Sequence, residues 1–216
     1  MTPFPPRRRA GFSRSALGRW CLWLTAPLVA LASVRYLAFP IAEAAPHFTH
    51  HVAARAPAFY AHVTLAAVAL GLLPLQLSAR LRARRPGLHR WSGRLAAACM
   101  TVGGVSGIWL AAHVAAGPSA AFGFGLLGAL WIACAGLGVA TALRRDLAAH
   151  RAWMIRAAAL TMAALSLRLQ LPVAMALGQD YDAAATWIAW SCWVPNLLIA
   201  EAYLRRGRAP AAAVPA

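Results

Sequence analysis

The chain has 216 residues; 61% are hydrophobic, 12% are charged, and the formal net charge is +16. A soluble domain of this length needs more polar surface than that, so a lipid bilayer is the expected solvent. All 21 basic residues are arginine, and they cluster between apolar runs instead of lining one amphipathic face. That argues against nucleic acid as a partner and for the positive-inside pattern of a membrane protein.

Residues 1–19 open with "MTPFPPRRRAGFSRS", a Pro-rich, basic stretch that reads as a disordered cytoplasmic leader. An apolar run at 20–39 follows, interrupted by Pro27 and Arg35. Its "ALA" at 30–32 resembles a signal-cleavage site, but more apolar runs follow and a retained membrane helix is the preferred reading. Those runs lie at 58–78, 92–114, 121–143, 153–177 and 184–204. Each has roughly the 20 residues that a ~30 Å hydrocarbon layer requires. "APHFTHHVAARAP", "AAGPSA" and "GQDYDAA" then read as loops on one side. The expected fold is an all-α, polytopic membrane helical bundle of six transmembrane helices over 20–204, with a cytoplasmic tail at 205–216.

Six crossings place both termini on one side, and the arginines choose it. Eighteen of the 21 fall before the first run, in the second-to-third and fourth-to-fifth links and the helix starts beside them, or in the tail; Arg35, Arg55 and Arg168 lie elsewhere. Cytoplasmic N- and C-termini in a bacterial inner membrane follow. In "RPGLHRWSGR" at 85–94, Pro86 and Gly87 read as a turn and Trp91 as an interfacial anchor; "HRAWMIR" at 150–156 repeats the pattern one hairpin later.

The chemistry-bearing residues sort by depth. His62 and His113 fall near the outer surface, His89 and His150 near the inner one. Two histidine layers in a helical membrane core suit haem b, with Arg90 and Arg151 placed to receive propionates. His47, His50 and His51 in "HFTHH" have the i, i+3, i+4 spacing that one helical turn would gather as a weak Zn²⁺ or Cu²⁺ site. Arg168 in "LSLRLQLP" sits about 22 Å into its helix at ~1.5 Å per residue, where an arginine marks a partner or a cavity. Arg156 and Glu201 fall at similar depth on adjacent helices and are expected to pair. Gln76 is expected in the same polar layer, and Asn196 lies near mid-membrane. The cysteines sit inside apolar runs and read as buried, unpaired thiols. No G-x-S-x-G, H-E-x-x-H or Walker A motif occurs, and the glycines of "FGFGLLG" fall inside an apolar span.

The pieces "PLQLSARLRARRPGLHRWSGR" at 74–94, "HRAWMIRAAALT" at 150–161, "LRLQLP" at 167–172 and "WVPNLLIAE" at 193–201, with "HV" at 62–63, resemble one bacterial family. It is the family of predicted membrane proteins catalogued as domain of unknown function 2306. The resemblance covers roughly 58–204 and leaves out the first apolar run and "HFTHH". Leu73-Pro74 stands where the family usually has Gly-Pro. It implies a multi-span membrane protein and attaches no activity. The positions it carries over are His62, Gln76, His89, Arg90, His150, Arg151, Arg156, Arg168, Asn196 and Glu201.

Three functional expectations stand side by side. One is an electron-transfer protein linked to haem b or quinone, with ligands among His62, His89, His113 and His150. Another is a small-solute or proton-coupled transporter, or a lipid-interacting protein, with a cavity lined by Arg168, Asn196 and Glu201. The third is a structural or assembly protein without cofactor. Whether the chain is an enzyme is left open by its residues.

Overall fold

The computed structural model describes residues 14–33 and 35–206, and among them it is entirely helical and irregular, without strands. The helices are α1 (Arg14–Ala32), the single turns α2 (Arg35–Ala38) and α3 (Ile41–Ala44), α4 (Thr49–Leu77), α5 (Ala79–Arg84), α6 (Pro86–Ala111), α7 (Pro118–Leu143), α8 (Leu147–Thr161), α9 (Ala163–Ala176), α10 (Tyr181–Ser191) and α11 (Val194–Arg206), with a 3₁₀ turn at Pro46–Phe48. Residues 1–13 of the basic leader and the tail from 207 lie outside the described residues.

Five helical stretches are long and apolar enough to cross a bilayer: Pro46–Leu77, Pro86–Ala111, Pro118–Leu143, Leu147–Ala176 and Tyr181–Arg206. They carry the second to sixth apolar runs of the sequence, each with added polar turns at its ends. The first run differs, because its helix stops at Ala32 and the apolar stretch Trp23–Ala38 is shorter than the rest.

Two boundaries move for identifiable reasons. "APHFTHHVAARAP" is helical, not a loop: the 3₁₀ turn and the start of α4 occupy it, and a sharp break follows at Arg55 (φ −146°, ψ 36°). Pro57 suits the break, since it stands in the first turn of the helix that resumes after Arg55, where a proline's missing N–H has no intrahelical acceptor to lose. Pro86 likewise stands in the first turn of α6, so "RPGLHRWSGR" is mostly helix and His89 lies one turn in.

Short connections make successive long helices antiparallel. α6 packs between α4 and α7, α7 also meets α8 and α10, α8 meets α11, and α1 lies along α4 and α9. The contact of α6 with α7 is reciprocal. A Cβ on Gly104 would sit 2.6 Å from Cγ1 of Ile132, and one on Gly128 would sit 2.7 Å from Cγ1 of Ile108. Each helix therefore sets an isoleucine into the other's glycine, one turn beyond its own, a close approach that small residues permit in membranes. The main core combines Met100, Trp131, Leu160, Ile188 and Trp193 with many alanines and the buried free thiols of Cys99, Cys134 and Cys192.

The last two crossings are interrupted, α8–α9 at Met162 and α10–α11 at Cys192–Trp193. Pro195 has no N–H to offer the Ser191 carbonyl four residues earlier. That carbonyl instead accepts from Gln170 Nε2 (3.3 Å), while Ser191 Oγ donates to Gln170 Oε1 (2.8 Å). A backbone group freed in an apolar setting must find such a partner.

Candidate functional site

A cavity of about 490 Å³ opens among the helices, within the roughly 300–1,000 Å³ usual for small-molecule sites. α4, α6, α7 and the broken pair α8–α9 form its walls, and Arg35 and Tyr36 approach from α2. Most of the wall is apolar: Ala66, Phe124, Leu127, Leu160 and Leu171 contribute, and Cys192 reaches it from the α10–α11 break. No aspartate or glutamate is among the lining residues.

Four polar features stand out on that wall. His62 of α4 donates from Nδ1 to the Gly103 carbonyl of α6 (2.8 Å). A carbonyl can only accept, so in the neutral ring the proton is on Nδ1 and Nε2 keeps its lone pair. The fit requires Gly107, where a Cβ would come within 2.7 Å of Nδ1. Trp131 donates from Nε1 to Thr161 Oγ1 (2.9 Å), which in turn donates to the Ala157 carbonyl (2.8 Å), so the indole is satisfied away from any interface.

Arg168 donates to the Ala164 carbonyl of its own helix (3.0 Å) and to Ser33 Oγ at the end of α1 (2.8 Å). Among the described residues it has no carboxylate partner. At the cavity's remaining end stands an aromatic cluster. His47 stacks on Tyr181 (4.1 Å, 18°), while Phe48 meets Tyr181 edge-on at 5.5 Å and lies 5.7 Å from Phe59. His51 is buried there, with no hydrogen-bond partner for its Nδ1.

The other sequence candidates fall into separate groups. Arg156 binds Glu201 in a bidentate pair through one guanidinium edge, Nε to Oε1 and Nη2 to Oε2 (3.0 Å), with Trp153 under the guanidinium at 4.7 Å. Gln76 does not join that layer. It clasps α4 to α6 by donating to Ser92 Oγ (2.7 Å) and the His89 carbonyl (3.3 Å), because α4 faces α6 at that depth and not α11. Asn196 donates to Ser166 Oγ (3.1 Å) and the Cys192 carbonyl (3.0 Å), tying α11 to α9. Neither Asn196 nor Glu201 lines the cavity, so of the expected polar lining only Arg168 is present.

His150 donates from Nδ1 to the Gly138 carbonyl (2.7 Å) and lies close enough to His89 for the two to interact electrostatically. The Nδ1 of His89 is buried without a partner. Arg90 turns back to the Pro86 carbonyl of its own helix, and Arg151 donates to the Tyr203 hydroxyl (2.8 Å). His113 folds onto the Trp109 carbonyl (2.9 Å) and does not line the cavity. The helical turn that would gather His47, His50 and His51 does not form. His47 belongs to the 3₁₀ turn and faces Tyr181, and among the described residues no three His, Cys, Asp or Glu side chains converge as metal ligands.

Ser33, Tyr36, Tyr181 and Thr161 escaped the sequence reading. Hydroxyls carry no spacing signal, and the first two lie at the end of a run whose packing only the tertiary fold defines. The glycine spacing of "GGVSG" at 103–107 was the available trace of His62's seat.

Residues 59–204 match the model of a family described as "Predicted membrane protein (DUF2306)". No curated protein matches the chain, and no solved structure does.

Proposed function

We propose, on the premise that this chain belongs to the DUF2306 family of predicted membrane proteins, that it binds a small amphipathic ligand within the bilayer, as a carrier or receptor for it. The observation that carries this reading is the cavity that leads between apolar walls to Arg168, an intramembrane arginine with no carboxylate partner among the described residues. Such an arginine by default marks a ligand path. The interrupted crossings beside it support the same reading, since broken helices at membrane depth accompany substrate sites. In the full topology α1 is a sixth crossing, both termini are cytoplasmic, and the membrane is the bacterial inner membrane. The packing of α1 on α4 and α9 supports the sixth crossing.

The test is to purify the protein in nanodiscs and measure binding of a fluorescent single-chain amphiphile, comparing the wild type with Ala66→Phe, which fills the cavity. Loss of binding in the folded variant is the expected result; unchanged binding would remove the cavity as the site.

A second reading is favoured by one separate observation. His89 has a buried, unpartnered Nδ1 beside His150, whose ring is oriented by the Gly138 carbonyl so that Nε2 is left for a ligand. That anchoring is the arrangement usual behind a metal-bound imidazole. Haem b between these two histidines would give a Soret shift and an α-band on dithionite reduction of protein made with ample haem. A colourless wild type sinks this reading and leaves the cavity reading intact.

A further inference from the structure

We propose that the cavity's ligand carries an acidic head, a carboxylate or phosphate monoester on an apolar chain, and that Arg168 is the residue that receives it. The proposal rests on the reading of the cavity as a binding site and adds the chemical class of what it takes.

Charge makes the first argument. The lining contains two guanidiniums, Arg35 and Arg168, and no carboxylate. Its histidines bring no negative charge, and Asp182, in the first turn of α10, is not part of the wall. Arg35 is already turned to the Tyr36 hydroxyl (3.0 Å), with its guanidinium 4.9 Å from that ring. Arg168 spends two hydrogen bonds on neutral oxygens, those of Ala164 and Ser33. A guanidinium has five N–H donors in a planar fork. The donors left over, in a low-dielectric site that supplies no anion, are suited to a planar or tetrahedral oxyanion from outside.

The shape of the wall makes the second. Most of the wall away from Arg168 is apolar, with Val63, Leu127, Leu160 and Leu167 among its side chains. A free inorganic anion would leave that part of the cavity unfilled, whereas an apolar chain would cover it. His62 sharpens the discrimination. Its Nε2 accepts hydrogen bonds, so an alcohol could donate to it, but an alcohol would leave Arg168 without a counter-charge. A cationic amine would be repelled by both guanidiniums.

The experiment uses the full chain in zwitterionic nanodiscs with a fluorescent fatty acid as probe. Dodecanoate, dodecyl phosphate, dodecanol, dodecylamine and inorganic phosphate compete for it. A charge-assisted pair predicts that the two acids compete at least about tenfold better than dodecanol. Dodecylamine should be inactive and inorganic phosphate much weaker than dodecyl phosphate. Arg168→Gln should abolish the preference of acid over alcohol, and Arg168→Lys should retain part of it. Equal competition by dodecanol and dodecanoate in the wild type, which needs no variant, overturns the proposal. So does inorganic phosphate matching dodecyl phosphate, because the apolar wall then plays no part. If instead Ala66→Phe leaves probe binding untouched, the cavity itself is the wrong site, and that outcome is distinct from a loss of head-group preference at a cavity that still binds.

Discussion

Between α8 and α11 a guanidinium and a carboxylate meet edge to edge, with Arg156 and Glu201 exposing 17% and 30% of their side chains. Glu201→Gln keeps the size of the side chain but leaves the cation without its counter-charge. The expected cost is about 1.5–3 kcal/mol, the range for hydrogen bonds to charged groups. It would be read as a lowered unfolding midpoint of the detergent-solubilised protein. Arg156→Met added to Glu201→Gln should recover part of the loss, because losing both charges costs less than stranding one. Strict additivity of the two changes would show that the pair is not coupled. This contact was legible in the sequence, because two residues at equal depth on consecutive crossings have few alternatives. Gln76 was placed in the same layer by the same logic and went elsewhere. Depth constrains a residue along the membrane normal, while the helix face, which depth does not set, chose Ser92 as its partner.

Helix ends and helix interruptions obey local chemistry that the sequence only half displays. Asp146 and Asp180 cap α8 and α10, accepting from the backbone N–H of Ala149 (2.9 Å) and Ala183 (2.8 Å). Pro195 announces a break, but the group that satisfies the freed Ser191 carbonyl is Gln170, 21 residues earlier on another helix. Gln170→Leu should therefore cost about 1–3 kcal/mol, the penalty for a buried group left unpaired. Pro195→Ala restores an N–H four residues after Ser191, so the double variant should be more stable than Gln170→Leu alone. Thermal unfolding of the three proteins in one detergent checks this, and no gain from Pro195→Ala on the Gln170→Leu background would refute the proline's role. The same chemistry explains the segment read as a loop at "APHFTHHVAARAP". Its alanines favour helix, Pro46 opens the 3₁₀ turn, and Pro57 goes with a break at Arg55 without preventing the helix.

Across the whole bundle the arginines gather at one end. The end of α4, all of α5 and the start of α6 carry Arg80, Arg82, Arg84, Arg85, Arg90 and Arg94; the α7–α8 turn and its flanks carry Arg144, Arg145 and Arg151; and α11 ends in Arg205 and Arg206. The cavity and its aromatic cluster lie toward the opposite end, where α6 ends and α10 starts. In the proposed orientation, with the arginine-rich end cytoplasmic, the cavity would lie toward the outer leaflet. Single cysteines in a background lacking the native ones should then react with a membrane-impermeant maleimide in intact cells at position 117 and be protected at position 145. Labelling at 145 with protection at 117 would invert the orientation. α1 lends the cavity Ala32 and, one residue past its end, the Ser33 hydroxyl that holds Arg168, so a chain shortened before α4 should lose ligand binding.

The lipid solvent, the number of long apolar helices after the first run and the clustering of arginine were all readable before any fold, because each follows from composition and spacing along one dimension; the family was readable from its motifs alone. Helix length against bilayer thickness needs no partner to be known. The sequence also singled out Arg168, since a charge in an apolar run is conspicuous wherever the run packs. Only the tertiary structure decided what Arg168 faces. Ser33 lies 135 residues away, just past the end of α1 and outside the recognised motifs, and the cavity is the space left where α4, α6, α7 and α9 fail to fill one another. Empty volume between helices is a property of their mutual rotation, and hydropathy does not encode it.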